Sequence, residues 1–99
     1  MRIEFSRLVE EDLDAIAFHI AQDNPRRAVT FIREIKTKLR AIARRPMLYR
    51  LRAEIGEEAR MALVGSHAIL FRVVAGAVVR VERIGYGGRD LPPLFSEEP

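Results

Sequence analysis

The stretch "NPRRAVTFIREIKTKLRAIARRP", residues 24–46, constrains the fold of this chain more than any other. Asn24 suits a helix N-cap, and Pro25 suits the first helical position, where its missing N–H leaves no bond unmade. Ala28, Phe31, Ile32, Ile35, Leu39 and Ile42 then recur three and four residues apart until Pro46 stops the run. The spacing predicts an amphipathic helix of about 20 residues, roughly 30 Å long. Its other face carries Arg26, Arg27, Arg33, Lys36, Lys38, Arg40 and Arg44. Such a helix needs a partner layer for its apolar stripe and leaves a row of cations in water.

A partner precedes it. Ser6 is placed to cap a first helix, and Val9, Leu13, Ile16, Ala17 and Ile20 form its apolar stripe. Glu10, Glu11, Asp12 and Asp14 crowd the start of that helix, where the macrodipole favours negative charge. Phe18 lies off the stripe and is expected as a helix-edge core residue, with a contact to a partner as the alternative. The turn "QDNPRRA" then folds the two helices into an antiparallel hairpin. Before the hairpin, Arg2-Ile3-Glu4-Phe5 alternates as a half-buried strand does.

After Pro46 a connecting segment, "MLYRLRAEIGEEA", carries Tyr49, Arg50 and Arg52. Three runs rich in Val, Ile and Leu follow, Arg60–Val64, Ala68–Val74 and Ala77–Ile84. Short turns at Gly65-Ser66-His67 and Ala75-Gly76 separate them, the pattern of an antiparallel meander. The expected fold is α+β in the order β-α-α-β-β-β, a helix hairpin packed on one face of a small antiparallel sheet. Residues 1–99 read as one domain with an extended tail from about residue 92. The sheet face away from the hairpin is expected to stay available.

Composition narrows the chemistry. The chain has no cysteine and only His19 and His67 as nitrogen ligands, so neither a disulfide nor a structural zinc site is expected. The glycines at 85, 87 and 88 follow a strand and do not open a helix, so no nucleotide loop is expected and no cofactor is implied. No apolar run approaches the length of a membrane helix, and "MRIEFSRL" is unlike a signal peptide, so the expected compartment is the cytoplasm without membrane association. The net charge of +3 conceals a concentrated band: residues 26–52 hold ten basic side chains against the single acid Glu34. Such a band suits an acidic partner or a phosphate backbone.

Arginines on the strands are the one constellation that invites catalysis. Arg60, Arg72, Arg80 and Arg83, with Arg89 beyond the last strand, could gather phosphates, and Tyr86 could stack on a base or donate a proton. Regular alternation, however, sets Arg80, Glu82, Ile84 and Tyr86 on one face and Val79, Val81 and Arg83 on the other, so convergence needs a bulge. The alternative is that these arginines solvate the open face and pair with Glu82, Glu54 or Asp90. Tyrosine, with an ordinary pKa of about 10, is a poor base near neutrality. RNA cleavage would want a histidine or glutamate beside it, and no histidine is expected there. His67 reads as a turn residue or strand starter and His19 as solvated, so binding is favoured over catalysis.

The helix hairpin "DLDAIAFHIAQDNPRRAVTFIREI", the segment "RRPMLYRLRAEIGEEARMALVGSHAILFRV" and the ending "VERIGYGGRDL" together resemble the ParE branch of the RelE/ParE toxin superfamily. The shared features are the Asn-Pro between helices, the arginine followed by glutamate after the loop (Arg50 to Ala53-Glu54, three residues between them) and the terminal Gly-x-Arg-Asp. The sequence departs from the family pattern at Tyr86, where histidine is usual, and at Tyr49, where glycine is common. The resemblance implies a toxin of a type II toxin–antitoxin module that inhibits DNA gyrase, with Arg83, Tyr86, Arg89 and Asp90 as its target-binding corner. It implies a ParD-like antitoxin whose amphipathic segment fills a groove between hairpin and sheet, near Phe18, Arg33, Arg40, Arg44, Tyr49, Arg50 and Arg52. Operator DNA would be bound by the complex through the antitoxin. The RelE-like alternative is metal-independent cleavage of ribosome-bound mRNA, with Arg60 or Arg72 on the phosphate and Tyr86 assisting the nucleophile. A third possibility is an inactive member that binds only its antitoxin.

Overall fold

The computed structural model describes residues 1–86; Arg89, Asp90 and the tail from residue 92 lie outside them. The elements are β1 (Arg2–Phe5), α1 (Arg7–Asp23), α2 (Pro25–Arg44), a 3₁₀ turn (Pro46–Leu48), β2 (Arg60–Val64), β3 (His67–Val74) and β4 (Val78–Tyr86). Local chemistry explains both helix starts. The Ser6 side chain accepts from the Leu8 N–H, and the Asn24 side chain accepts from the Arg27 N–H ahead of Pro25.

The sheet order is β1-β4-β3-β2. Strands β2, β3 and β4 form the expected antiparallel meander, while β1 joins β4 in parallel, from Arg2 opposite Val78 to Phe5 opposite Val81. The α+β layout is therefore as expected, with a mixed rather than wholly antiparallel sheet. A parallel neighbour requires a crossover, and here the whole hairpin and the first two meander strands supply it.

Helix α2 buries Phe31, Ile35, Leu39 and Ile42 against Ala62, Val64, Ile69, Phe71, Val79, Val81 and Ile84 of the sheet. Helix α1 contributes Val9 to this core, with Leu13, Ile16 and Ile20 packed at its margin. Phe18 does not join: it is 68% exposed, which corrects the expectation of a core edge. Its position on α1 turns it away from both α2 and the sheet.

The opposite sheet face is only partly open. The connecting segment folds back so that Ile55 and Ala59 pack on Leu70, with Met61 alongside. The Arg52 N–H bonds the Ala59 carbonyl at 2.7 Å, and Leu51 bridges Arg60, which pins that segment to β2.

Strand β4 departs from regular alternation. Leu70 pairs with Arg83 but Phe71 with Val81, leaving Glu82 as an extra residue in a β-bulge. Val79, Val81 and Ile84 therefore share the helix-side core, which corrects the faces expected from strict alternation. Past the end of β1, the Ser6 N–H donates to the Val81 carbonyl at 2.9 Å and the Ser6 hydroxyl to the Glu82 carbonyl at 2.7 Å. Asp12 then accepts the Ile84 N–H at 3.0 Å and both Nε and Nη2 of Arg83 at 2.8 Å. Asp12 thus serves the edge of β4 rather than the start of its own helix.

Replacing Asp12 by Ala should leave the Ile84 N–H and a half-buried guanidinium without this partner. The expected loss is about 2–4 kcal/mol of folding free energy, measured by urea unfolding. A loss below about 0.5 kcal/mol, the range of ordinary surface substitutions, would show that the Asp12 contacts do not secure the edge.

Candidate functional site

Among the described residues, concavities flank α2 at three places. The first, about 440 Å³, is lined by Phe5, Val9 and Leu13 on one side and Ile32, Ile35 and Leu39 on the other, with Arg7, Glu10 and Lys36 at its rim. The second, about 430 Å³, lies between α2 and β2 and includes Arg33, Lys38, Ala41, Leu63 and Val64. The third, about 550 Å³, joins Ala41, Arg44 and Arg45 to Leu48 and Tyr49. Near these hollows Met47, Leu48 and Leu51 remain exposed apolar residues.

The cations around them are largely unneutralised. Arg27 forms a bidentate pair with Glu34, at 2.7 and 3.1 Å, and its Nη1 also donates to Thr30 at 2.9 Å. That hydrogen-bonded guanidinium holds the Glu34 carboxyl below its ordinary range. Arg33, Arg40, Arg44 and Arg50 are exposed and form no ion pair among the described residues. The helix therefore presents a mostly cationic face beside apolar hollows, with Glu10 and Glu34 as the acids on their rims.

The sequence-predicted residues separate into groups. Arg33, Arg44 and Tyr49 line the hollows, and Arg40 lies on the same helix. Tyr49 also sets its ring edge-on to Phe71, with centroids 5.8 Å apart, and its carbonyl accepts from Arg60. Arg52 bonds Glu54 and reaches the Met61 sulfur at 3.6 Å. Phe18 stands apart from the three hollows.

The strand arginines do not converge into one phosphate clamp. Arg72 and Arg80 both donate to the buried Glu82, at distances from 2.7 to 3.2 Å, on the face away from the helices. Arg83 binds Asp12 and Arg60 binds the Tyr49 carbonyl, so the geometry matches the pairing alternative for Arg72 and Arg80. Tyr86 is elsewhere, at the far end of β4 on the helix side.

There the structure corrects the expectation that no histidine stands beside Tyr86. His67 pairs directly with Tyr86, the ring centroids 5.4 Å apart and the rings nearly perpendicular at 84°. His67 also sits edge-on to Phe31 at 4.8 Å. His19 joins His67 and Tyr86 in a groove of about 350 Å³ floored by Ala15, Ile16 and Ile20. The Glu82 bulge decides this: continuing the Phe71–Val81 register without it would set Tyr86 against Ser66. The available signal was the charged Glu82 breaking an otherwise apolar alternation in β4.

Burial first, then the positive charges of Arg27 and His19, push the His67 imidazole below its ordinary pKa of 6.5. The folded state therefore favours the neutral ring, and the unfolded chain binds more protons as pH falls toward 6. This contribution to stability is complete above pH 6.5 and is lost as pH falls through the lower folded-state value. In urea unfolding, stability should decline from pH 7 to pH 5 more steeply in the parent than in His67→Gln. Parallel profiles would show that His67 carries no such linkage.

The profile of the family described as ParE toxin of type II toxin-antitoxin system, parDE, matches residues 3–91. Comparison with curated proteins finds no match. Among solved structures, the chromosomal ParDE TA system from P. aeruginosa is similar, with a TM-score of 0.74 at 21% identity, covering 87% of this chain and 95% of that chain. That likeness is one of fold; the profile match carries the family assignment. Spanning the hairpin, the connecting segment and all three meander strands, it makes this chain a member of the ParE toxin family of type II toxin–antitoxin systems.

Proposed function

We propose that the chain is a toxin that inhibits DNA gyrase and is neutralised by a ParD-like antitoxin, whose amphipathic segment occupies the hollow between α1 and α2. The family membership supports the toxin–antitoxin setting. The observation that carries the docking site is the apolar groove of Phe5, Val9, Leu13, Ile32, Ile35 and Leu39, with Arg7, Lys36 and the single acid Glu10 at its edge. An amphipathic helix lays apolar side chains into such a groove, and acidic side chains on the same segment would meet the cationic rim. Arg33, Arg40 and Arg44 would extend that attraction along α2, and Arg50 would continue it in the connecting segment. Gyrase would be met by Arg83 and Tyr86 together with Arg89 and Asp90, the last two outside the described residues. Operator DNA would be reached through the antitoxin in the complex.

The mRNA-cleaving alternative draws less support from the geometry. Tyr86 lies on the helix side of the sheet, whereas Arg72 is engaged with Glu82 on the other face. The two groups do not share a site for one phosphate. The histidine beside Tyr86 is the single observation in favour of acid–base chemistry at that end.

Two variants test the docking site. Ile32→Glu places a carboxylate at the wall of the groove, and Lys36→Glu reverses a rim charge without touching the core. Each should weaken antitoxin binding by about tenfold or more, measured by titration, while the chain still blocks supercoiling by purified gyrase. Unchanged antitoxin affinity in both variants would remove the groove from the interface. Cleavage of ribosome-bound mRNA with gyrase unaffected would replace the gyrase assignment with the nuclease one.

A further inference from the structure

Two exposed apolar features take no part in that reading. The first is Phe18, 68% exposed on the outer face of α1. Glu11 and Asp14 precede it at helical spacing, so the three side chains share one line along the helix. Both acids are exposed and form no ion pair among the described residues. The second feature lies where α2 meets the 3₁₀ turn. It is the hollow of about 550 Å³ lined by Ala41, Arg44, Arg45, Leu48 and Tyr49, with no acid among them. Leu48 is 72% exposed there, and the neighbouring Met47 60%. Arg44 and Arg45 are exposed and likewise form no ion pair among the described residues.

We propose that these two features meet between copies of this chain, with Phe18 of one copy seated in the arginine-rimmed hollow of the next. Each feature offers what the other lacks. An exposed phenyl ring gains by leaving water, and Ala41, Leu48 and the Tyr49 ring give it apolar walls. With the ring seated, the acids on its helical line come up against Arg44 and Arg45, so opposite charges flank the apolar contact. Phe18 cannot reach the hollow of its own chain. It lies in the last two turns of α1, near Asn24, whereas the hollow is at the far end of α2, about 20 Å away along the hairpin. Each copy therefore carries a knob at one end and a socket at the other, which makes the contact heterologous and repeatable. A two-fold contact through α2 alone would set arginine against arginine, which disfavours that arrangement. Arg44 also belongs to the row offered to the antitoxin, so the contact is one of the chain without its antitoxin. The inference is independent of which cellular process the toxin stops.

Sedimentation velocity on the purified full chain tests it, from about 1 μM to 1 mM, the span in which small interfaces associate. The average mass should climb with concentration past that of a dimer. It should fall back as salt is raised, because the flanking charges are exposed and screened. Phe18→Ser and Leu48→Ser each alter an exposed side chain outside the core, and each should weaken association by about tenfold or more. An equal mixture of these two variants should pair and stop at a dimer, since one keeps only its socket and the other only its knob. Leu63→Ser, an exposed apolar change on β2 outside both features, should associate as the parent does. A chain that stays monomeric throughout, undiminished association in Phe18→Ser and Leu48→Ser, or an equal loss in Leu63→Ser would overturn the proposal. So would a mixture that fails to pair, or a parent that stops at a closed dimer, which would assign the contact to a symmetric patch.

Discussion

Strand β4 must have both its edges satisfied over nine residues, yet β1 pairs with only four of them. An unpaired N–H or carbonyl inside the fold costs about as much as a lost hydrogen bond. Ser6 and Asp12 resolve the shortfall by extending the edge with side-chain and backbone groups from the turn into α1 and its second turn. The same contacts set where α1 begins and how it lies along the sheet. Once α1 is placed, the tight turn at Asn24 places α2, and the apolar stripe of α2 has a defined surface to cover. The groove between the helices and the groove at Tyr86 both follow from that placement.

The bulge at Glu82 has consequences on both faces of the sheet. On one face it brings a buried carboxylate to Arg72 and Arg80, so the nearby guanidiniums stabilise an internal charge instead of forming a free phosphate clamp. On the other it advances the register by one residue and delivers His67 to Tyr86. One extra residue thus separates the arginines from the tyrosine and gives the tyrosine a histidine in exchange. Chemistry and recognition on this sheet are decided by register more than by residue inventory.

The charge band along α2 is compatible with folding because most of it faces water, where like charges are screened over about 8–10 Å at ordinary salt. Glu34 pairs with Arg27, leaving the rest of the row to act collectively. A surface of this kind suits a partner of opposite charge, since complementary charge accelerates encounter. The exposed Met47, Leu48 and Leu51 extend the apolar surface next to those hollows.

Helix boundaries, the meander and the division of α2 into two faces were legible in the sequence, because each depends on residues close together in the chain: Ser6 and Asn24 as caps, Pro25 and Pro46 as limits, the three-and-four spacing from Ala28 to Ile42. The likeness of the hairpin and strand motifs to ParE toxins was legible for the same reason. The parallel entry of β1, the diversion of Asp12 to β4, the exposure of Phe18 and the meeting of His19, His67 and Tyr86 were not. Each joins residues far apart in sequence through a register or a helix orientation, and a shift of one residue reverses which face a strand side chain takes. Local propensity is blind to that shift; packing of α1 against the unfinished edge of β4, with the bulge at Glu82, determines it.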